Sequence, residues 1–125
     1  MAFTYESISA TFKAEGDLSA LQYHAVKKGT AVGQVLQAGA NQGFGILQND
    51  PTDGEEADVV ELGYSKAVVD GSAVAIVFDD PLAADASGHL VKEVTDNDAI
   101  LAKARGASSA AGDIIPVLVI GSVRY

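Results

Sequence analysis

The residues best equipped for chemistry in this sequence are its carboxylates and its two histidines. Asp50, Asp53, Glu55, Glu56 and Asp58 crowd into one short run, and clustered carboxylate oxygens are what a calcium ion takes as ligands. The spacing works against a standard calcium loop. With Asn49 as the first ligand, the third position falls on Pro51, which has no side-chain oxygen to offer. The run therefore reads as a solvated, mutually repelling turn, with an irregular calcium site at Asp50–Asp58 as the alternative. Asp79-Asp80 and Asp96-Asn97-Asp98 read as turn acids that hydrogen-bond nearby backbone. His24 and His89 are far apart in sequence, and each falls in an expected strand. They read as solvent-facing or core-edge side chains rather than as a metal pair.

Other chemistries have less to work with. There is no cysteine and no Gly-x-Ser-x-Gly, so the thiol mechanisms and the serine elbow are absent. Gly39-Ala40-Asn41-Gln42-Gly43-Phe44-Gly45 has the glycines of a phosphate loop but leads into an expected strand, whereas phosphate is held where glycines open a helix. No catalytic, cofactor-binding or metal-ligating set is expected, and no enzyme.

Charge and hydropathy narrow the classes further. A formal net charge of −9 with scattered Lys and Arg opposes binding to nucleic acid, which needs clustered cations to neutralise phosphates. The longest apolar run, Ile114 to Ile120, contains Pro116 and is far short of the roughly 20 residues a membrane helix needs. The start, MAFTYESISATFK, lacks the basic head and apolar core of a signal peptide. The expectation is a soluble, acidic protein with neither nucleic acid nor membrane as partner.

The elements that must position these residues look like short strands. At 125 residues the chain is expected to be one domain with about two-thirds of its unfolded surface buried. Thirteen glycines and turn dipeptides at short intervals favour an all-β fold, a small barrel or sandwich of hairpins with at most one helical turn near residues 106–111. Residues 1–14 are expected to form an N-terminal strand or extended arm, and 15–125 the barrel domain. The centre of the design is Gly43 to Val69, read as strand, turn, strand, strand. Gly43 and Gly45 suit a kinked entrance, Asn49-Asp50-Pro51 and Asp53-Gly54 suit turns, and Ala57 to Tyr64 alternates with Val60, Leu62 and Tyr64 on one face. Further strands are expected at 18–27, 30–37, 74–78, 89–94, up to about Arg105, and at 114–120. The last of these reads as covered on both faces, with Pro116 placed where its missing N–H faces no partner.

Several of these segments, taken in order, carry a resemblance. Asp17-Leu18-Ser19-Ala20-Leu21-Gln22-Tyr23, Gly45-Ile46-Leu47-Gln48-Asn49-Asp50-Pro51, Gly54-Glu55, Ala57-Asp58-Val59-Val60 and Gly63-Tyr64-Ser65-Lys66 are followed by Asp80-Pro81-Leu82, Asp85-Ala86-Ser87-Gly88 and Ala111-Gly112-Asp113-Ile114-Ile115-Pro116-Val117-Leu118. The ordered set resembles the capsid cement, or head-decoration, proteins of tailed bacteriophages and covers nearly the whole chain. Asp80 stands where relatives carry a glycine, a departure that bears on the local turn type.

The resemblance implies a β-rich structural virion protein that binds the outer surface of a phage capsid lattice, commonly as a trimer, and stiffens it. It implies synthesis in the bacterial cytoplasm, the major capsid protein and further copies of the chain as partners, and no cofactor. Phe3, Tyr5, Phe12, Gln48, Asn49 and Pro51 are the expected capsid or subunit contacts. The competing reading is a small β-barrel that binds a carbohydrate or other ligand in a fibre or tail, a class the absence of tryptophan disfavours.

Overall fold

The computed structural model describes residues 7–94 and 99–124, with side chains described through Gly121. Nine strands run through the described residues: β1 Ser7–Ala14, β2 Ala25–Lys28, β3 Gln34–Gln37, β4 Gly45–Leu47, β5 Glu56–Asp70, β6 Pro81–Ala84, β7 Leu90–Lys92, β8 Ala99–Ala104 and β9 Ala111–Arg124. The fold is all-β, as the turn spacing predicts, and residues 106–111 contain no helical turn.

The strands are ordered β1-β3-β2-β4-β5-β7-β6-β8-β9, with β5 also paired to β1 and to β9. Those two extra pairings close the sheet twice. The first ring is β1-β3-β2-β4-β5 and the second is β5-β7-β6-β8-β9, so β5 is the wall they share. Its first half pairs antiparallel with β1 from Glu56 to Gly63, and its second half with β9 from Gly63 to Asp70. Closure leaves few unpaired strand edges, which is how a small β-protein avoids edge-to-edge aggregation. Where separate strands were expected after the turn, one strand of 15 residues runs through.

Each ring has its own core. The first is filled by Ala14, Leu18, Val26, Val35, Leu47, Ala57 and Val59, with Phe12 and Phe44 packed against it. Their rings meet edge to face with centroids 5.5 Å apart, the arrangement aromatic quadrupoles favour. The second core is larger and includes Ile46, Val60, Val69, Ile76, Leu82, Leu90, Leu101, Ile115, Val117 and Val119. Tyr23 ties the two together: its N–H donates to the Leu47 carbonyl at 2.7 Å, and its own carbonyl accepts from the Val68 N–H at 3.0 Å.

The glycines at the mouth of β4 behave as their type requires. Gly43 sits at φ +109°, a region open to glycine and strained for other residues. A Cβ on Gly45 would run into the Val59 side chain and the Val60 carbonyl, so only hydrogen lets β4 lie this close to β5.

Three expectations give way. The 18–27 strand shrinks to β2, because Leu21 N–H bonds to the Leu18 carbonyl and His24 N–H to the Leu21 carbonyl, coiling that stretch into turns. Residues 74–78 make a single bridge, Ile76 to Ser108. Val74, Val77 and Phe78 are exposed, so Ile76 is the one side chain of that stretch buried in the core. β9 is covered on one face and not both: Ile115, Val117 and Val119 are buried while Ile114 and Pro116 are exposed.

Candidate functional site

The acidic turn between β4 and β5 is held together by its own polar atoms. Asn49 Oδ1 accepts the Asp58 N–H at 3.0 Å and its Nδ2 donates to the Glu56 carbonyl at 2.9 Å. Asp53 accepts the Gly16 N–H, and Asp58 accepts the Thr11 hydroxyl. Glu55 accepts both the N–H and the hydroxyl of Thr52, at 2.7 Å each. Those two bonds, the backbone one foremost, hold the Glu55 carboxyl below its ordinary range. Asp53, Glu55 and Asp58 thus point to separate hydrogen-bond donors around the turn.

The expected contact residues are distributed unevenly. Gln48 is half-buried, donating to the Ile46 carbonyl and the Ser65 hydroxyl, and Asn49 is half-buried in the bonds just described. Pro51 is buried, and its carbonyl accepts the Leu18 N–H at 2.9 Å. Phe12 is half-buried against Phe44. Phe3 and Tyr5 lie outside the described residues. The segment from Gly39 to Gly45 leads into β4, and Gln42 Oε1 closes it by accepting the Gly39 N–H.

The histidines meet, contrary to the expectation from their separation in sequence. His24 precedes β2 and His89 precedes β7, yet their ring centroids are 5.0 Å apart. Backbone bonds bring them together: Ala25 N–H donates to the Gly88 carbonyl at 2.8 Å. Burial pushes the His24 imidazole below its ordinary range, countered in part by the bond to the Gln22 carbonyl.

A surface that sequence periodicity misses lies across β1, β5 and β9. Alternation put Leu62 and Tyr64 on the same face as Val60. The β1–β5 register passes from Ile8↔Leu62 to Ser9↔Val60, so Glu61 is an extra residue on β5. Such a bulge reverses the parity of the strand. Val60 therefore points into the second core, whereas Leu62 is 47% exposed and Tyr64 40%. Cross-strand pairing then aligns Ile8 with Leu62, Tyr64 with Leu118, and Lys66 with Pro116. Ile8 and Ile114 are 61% and 55% exposed, and Lys103 joins the same face opposite Leu118. The result is an apolar outer face carrying two lysines on an acidic protein. The only advance signal was Gly63 beside the bulge, which takes φ +110°.

Elsewhere Arg105 donates to Asp79 Oδ1 at 2.8 Å while its guanidinium lies over the Phe78 ring, 5.2 Å from the centroid. The hydrogen bond from Arg105 is the main cause that holds the exposed Asp79 carboxyl low.

No protein-family model matches the chain, and no curated protein matches it by sequence. Among solved structures, the fold is similar to the head fiber gp8.5 N base of bacteriophage phi29, with a TM-score of 0.65 and 15% identity over 96% of this chain and 100% of that one.

Proposed function

We propose that the chain is a structural protein of a tailed-bacteriophage particle, which binds the outer surface of the capsid lattice and stabilises it. The observation that carries this reading is the likeness of fold to the phi29 head fiber N base, which spans both chains almost end to end. The ordered resemblance to head-decoration proteins points the same way.

The work of such a protein is contact, and two surfaces suit it. The apolar outer face of β1, β5 and β9 packs against a second copy of the chain, forming a trimer. Apolar cores are typical of homo-oligomer interfaces, and Lys66 and Lys103 on this face are complementary to a neighbour whose net charge is −9. The N-terminal segment with Phe3 and Tyr5, together with the rim of the turn held by Gln48 and Asn49, faces the coat. The strong net negative charge calls for a basic or less acidic rim on that lattice, where charge sets orientation and rate. The same likeness favours a second reading, in which this domain is the foot of a fibre.

Cosedimentation with heads assembled from the coat protein encoded in the same genome tests the first reading. The chain pellets with heads at saturating occupancy, and Phe3→Ala with Tyr5→Ala weakens that binding. These substitutions are preferable to a longer deletion, because β1 from Ser7 onward pairs with β5. An intact chain that stays in the supernatant contradicts the reading.

A further inference from the structure

We propose that Asp70, Asp85 and His89 form a binding site for a divalent transition-metal ion of the zinc class, with His24 alongside as a further donor. One ligand atom from each of the three lies within 4.8 Å of the others. The ligands of a tetrahedral zinc, at about 2.0–2.1 Å from the ion, stand about 3.3 Å apart. A side-chain adjustment on the order of 1 Å, within rotamer freedom, closes the set around an ion.

The three residues come from two parts of the chain, the end of β5 and the β6–β7 turn. Asp70 ends β5, Asp85 lies in the β6–β7 turn and His89 leads into β7. In both carboxylates one oxygen is already fixed by the chain. Asp70 Oδ1 accepts the Ser72 N–H and hydroxyl, and Asp85 Oδ1 accepts the N–H groups of Ser87 and His89. Asp85 Oδ2 turns instead towards His89, 3.8 Å from its Nδ1. Outer bonds of this kind are what orient metal ligands.

His24 is prepared in the same manner. Its Nδ1 lies 3.2 Å from the Gln22 carbonyl oxygen, and a ring nitrogen facing a carbonyl must carry the proton. The neutral ring then keeps its lone pair on Nε2. Its neighbour across 5.0 Å is His89.

The donor set selects the ion. Calcium and magnesium take oxygen ligands, whereas mixed imidazole and carboxylate donors suit zinc and its first-row neighbours. Two carboxylates balance a divalent charge, and half-exposure of the site leaves positions for water.

An ion here would brace a weak seam. β5 and β7 run parallel and share the single register pair Val69↔Leu90, whose residues immediately adjoin Asp70 and His89. Bridging them fastens the β6–β7 hairpin to the shared strand.

Calorimetric titration of the full chain with ZnCl2 and, separately, CaCl2 tests the proposal. One zinc ion binds per chain with a dissociation constant in the micromolar range, the melting temperature rises with zinc concentration, and calcium gives no saturable heat. His89→Gln and Asp70→Asn each weaken zinc binding by about tenfold or more, while Asp53→Asn leaves it unchanged. Asp70→Asn keeps a side-chain oxygen and His89→Gln keeps a polar side chain, and circular dichroism confirms that each variant is folded. Cobalt in place of zinc gives visible absorption that the two variants lose. The proposal is overturned by the absence of zinc heat up to about 1 mM, by zinc affinity undiminished in both folded variants, or by a preference for calcium.

Discussion

The carboxylates before β5 and those around its far end meet opposite fates. In the turn from Asn49 to Asp58 they are neighbours in sequence, and the fold separates them, assigning Asp53, Glu55 and Asp58 to different donors. At the end of β5, Asp70 is separated by strand β6 from Asp85 and His89, which share the β6–β7 turn, and the fold brings the three together. Like charges adjacent in a turn gain by splaying towards water and towards backbone N–H groups. Convergence of carboxylates is instead a property of tertiary structure, created where a hairpin docks on a strand. Density of charge along a sequence is therefore a poor guide to a site.

Core substitutions on either side of β5 break this contrast most strongly. Leu47 and Leu90 are both fully buried, the first in the core of the first ring and the second in that of the other. Truncating either to alanine lowers stability by about 2–5 kcal/mol in urea unfolding. Only Leu90→Ala, beside His89, should also weaken zinc binding. Equal loss of zinc affinity in Leu47→Ala would show that the two regions are not independent.

A middle-sized effect comes from the acidic turn. Asn49→Ala removes two hydrogen bonds to β5 backbone, leaving a donor and an acceptor to find water, at a cost of about 1–3 kcal/mol. Zinc titration of this variant should match the parent.

The smallest effect is a dependence on pH. Glu55 is held below its ordinary value of 4.5 by its bonds to Thr52. A depressed folded value means that its contribution is present above the unfolded value and is lost as pH falls through the folded one. In melting curves recorded from neutral to acid pH, Glu55→Gln therefore narrows its gap to the parent below about 4.5. A gap that widens in acid would reverse the sign of this assignment.

Much of the fold could be read from residue types. The glycine-flanked entrance to β4, the Asn49-Asp50-Pro51 turn and the strand that follows lie where local chemistry puts them, since each rests on turn geometry and alternation. What stayed hidden depends on distant partners. The bulge at Glu61 appears only once β1 is aligned against β5, and with it goes the outward turn of Leu62 and Tyr64. The double closure needs β5 to be long enough for two antiparallel neighbours in succession, which alternation alone does not specify. The meeting of His24 and His89 follows from one backbone bond between Ala25 and Gly88, and no periodicity encodes it.

Cryo-electron microscopy of heads incubated with the chain tests the central claim most directly. The account predicts threefold clusters of the domain on the outer surface of the lattice, with Leu62, Tyr64 and Ile114 of each copy buried against the next. A bare lattice at saturating concentration, or bound domains whose β5–β9 outer face lies open to solvent, would contradict it.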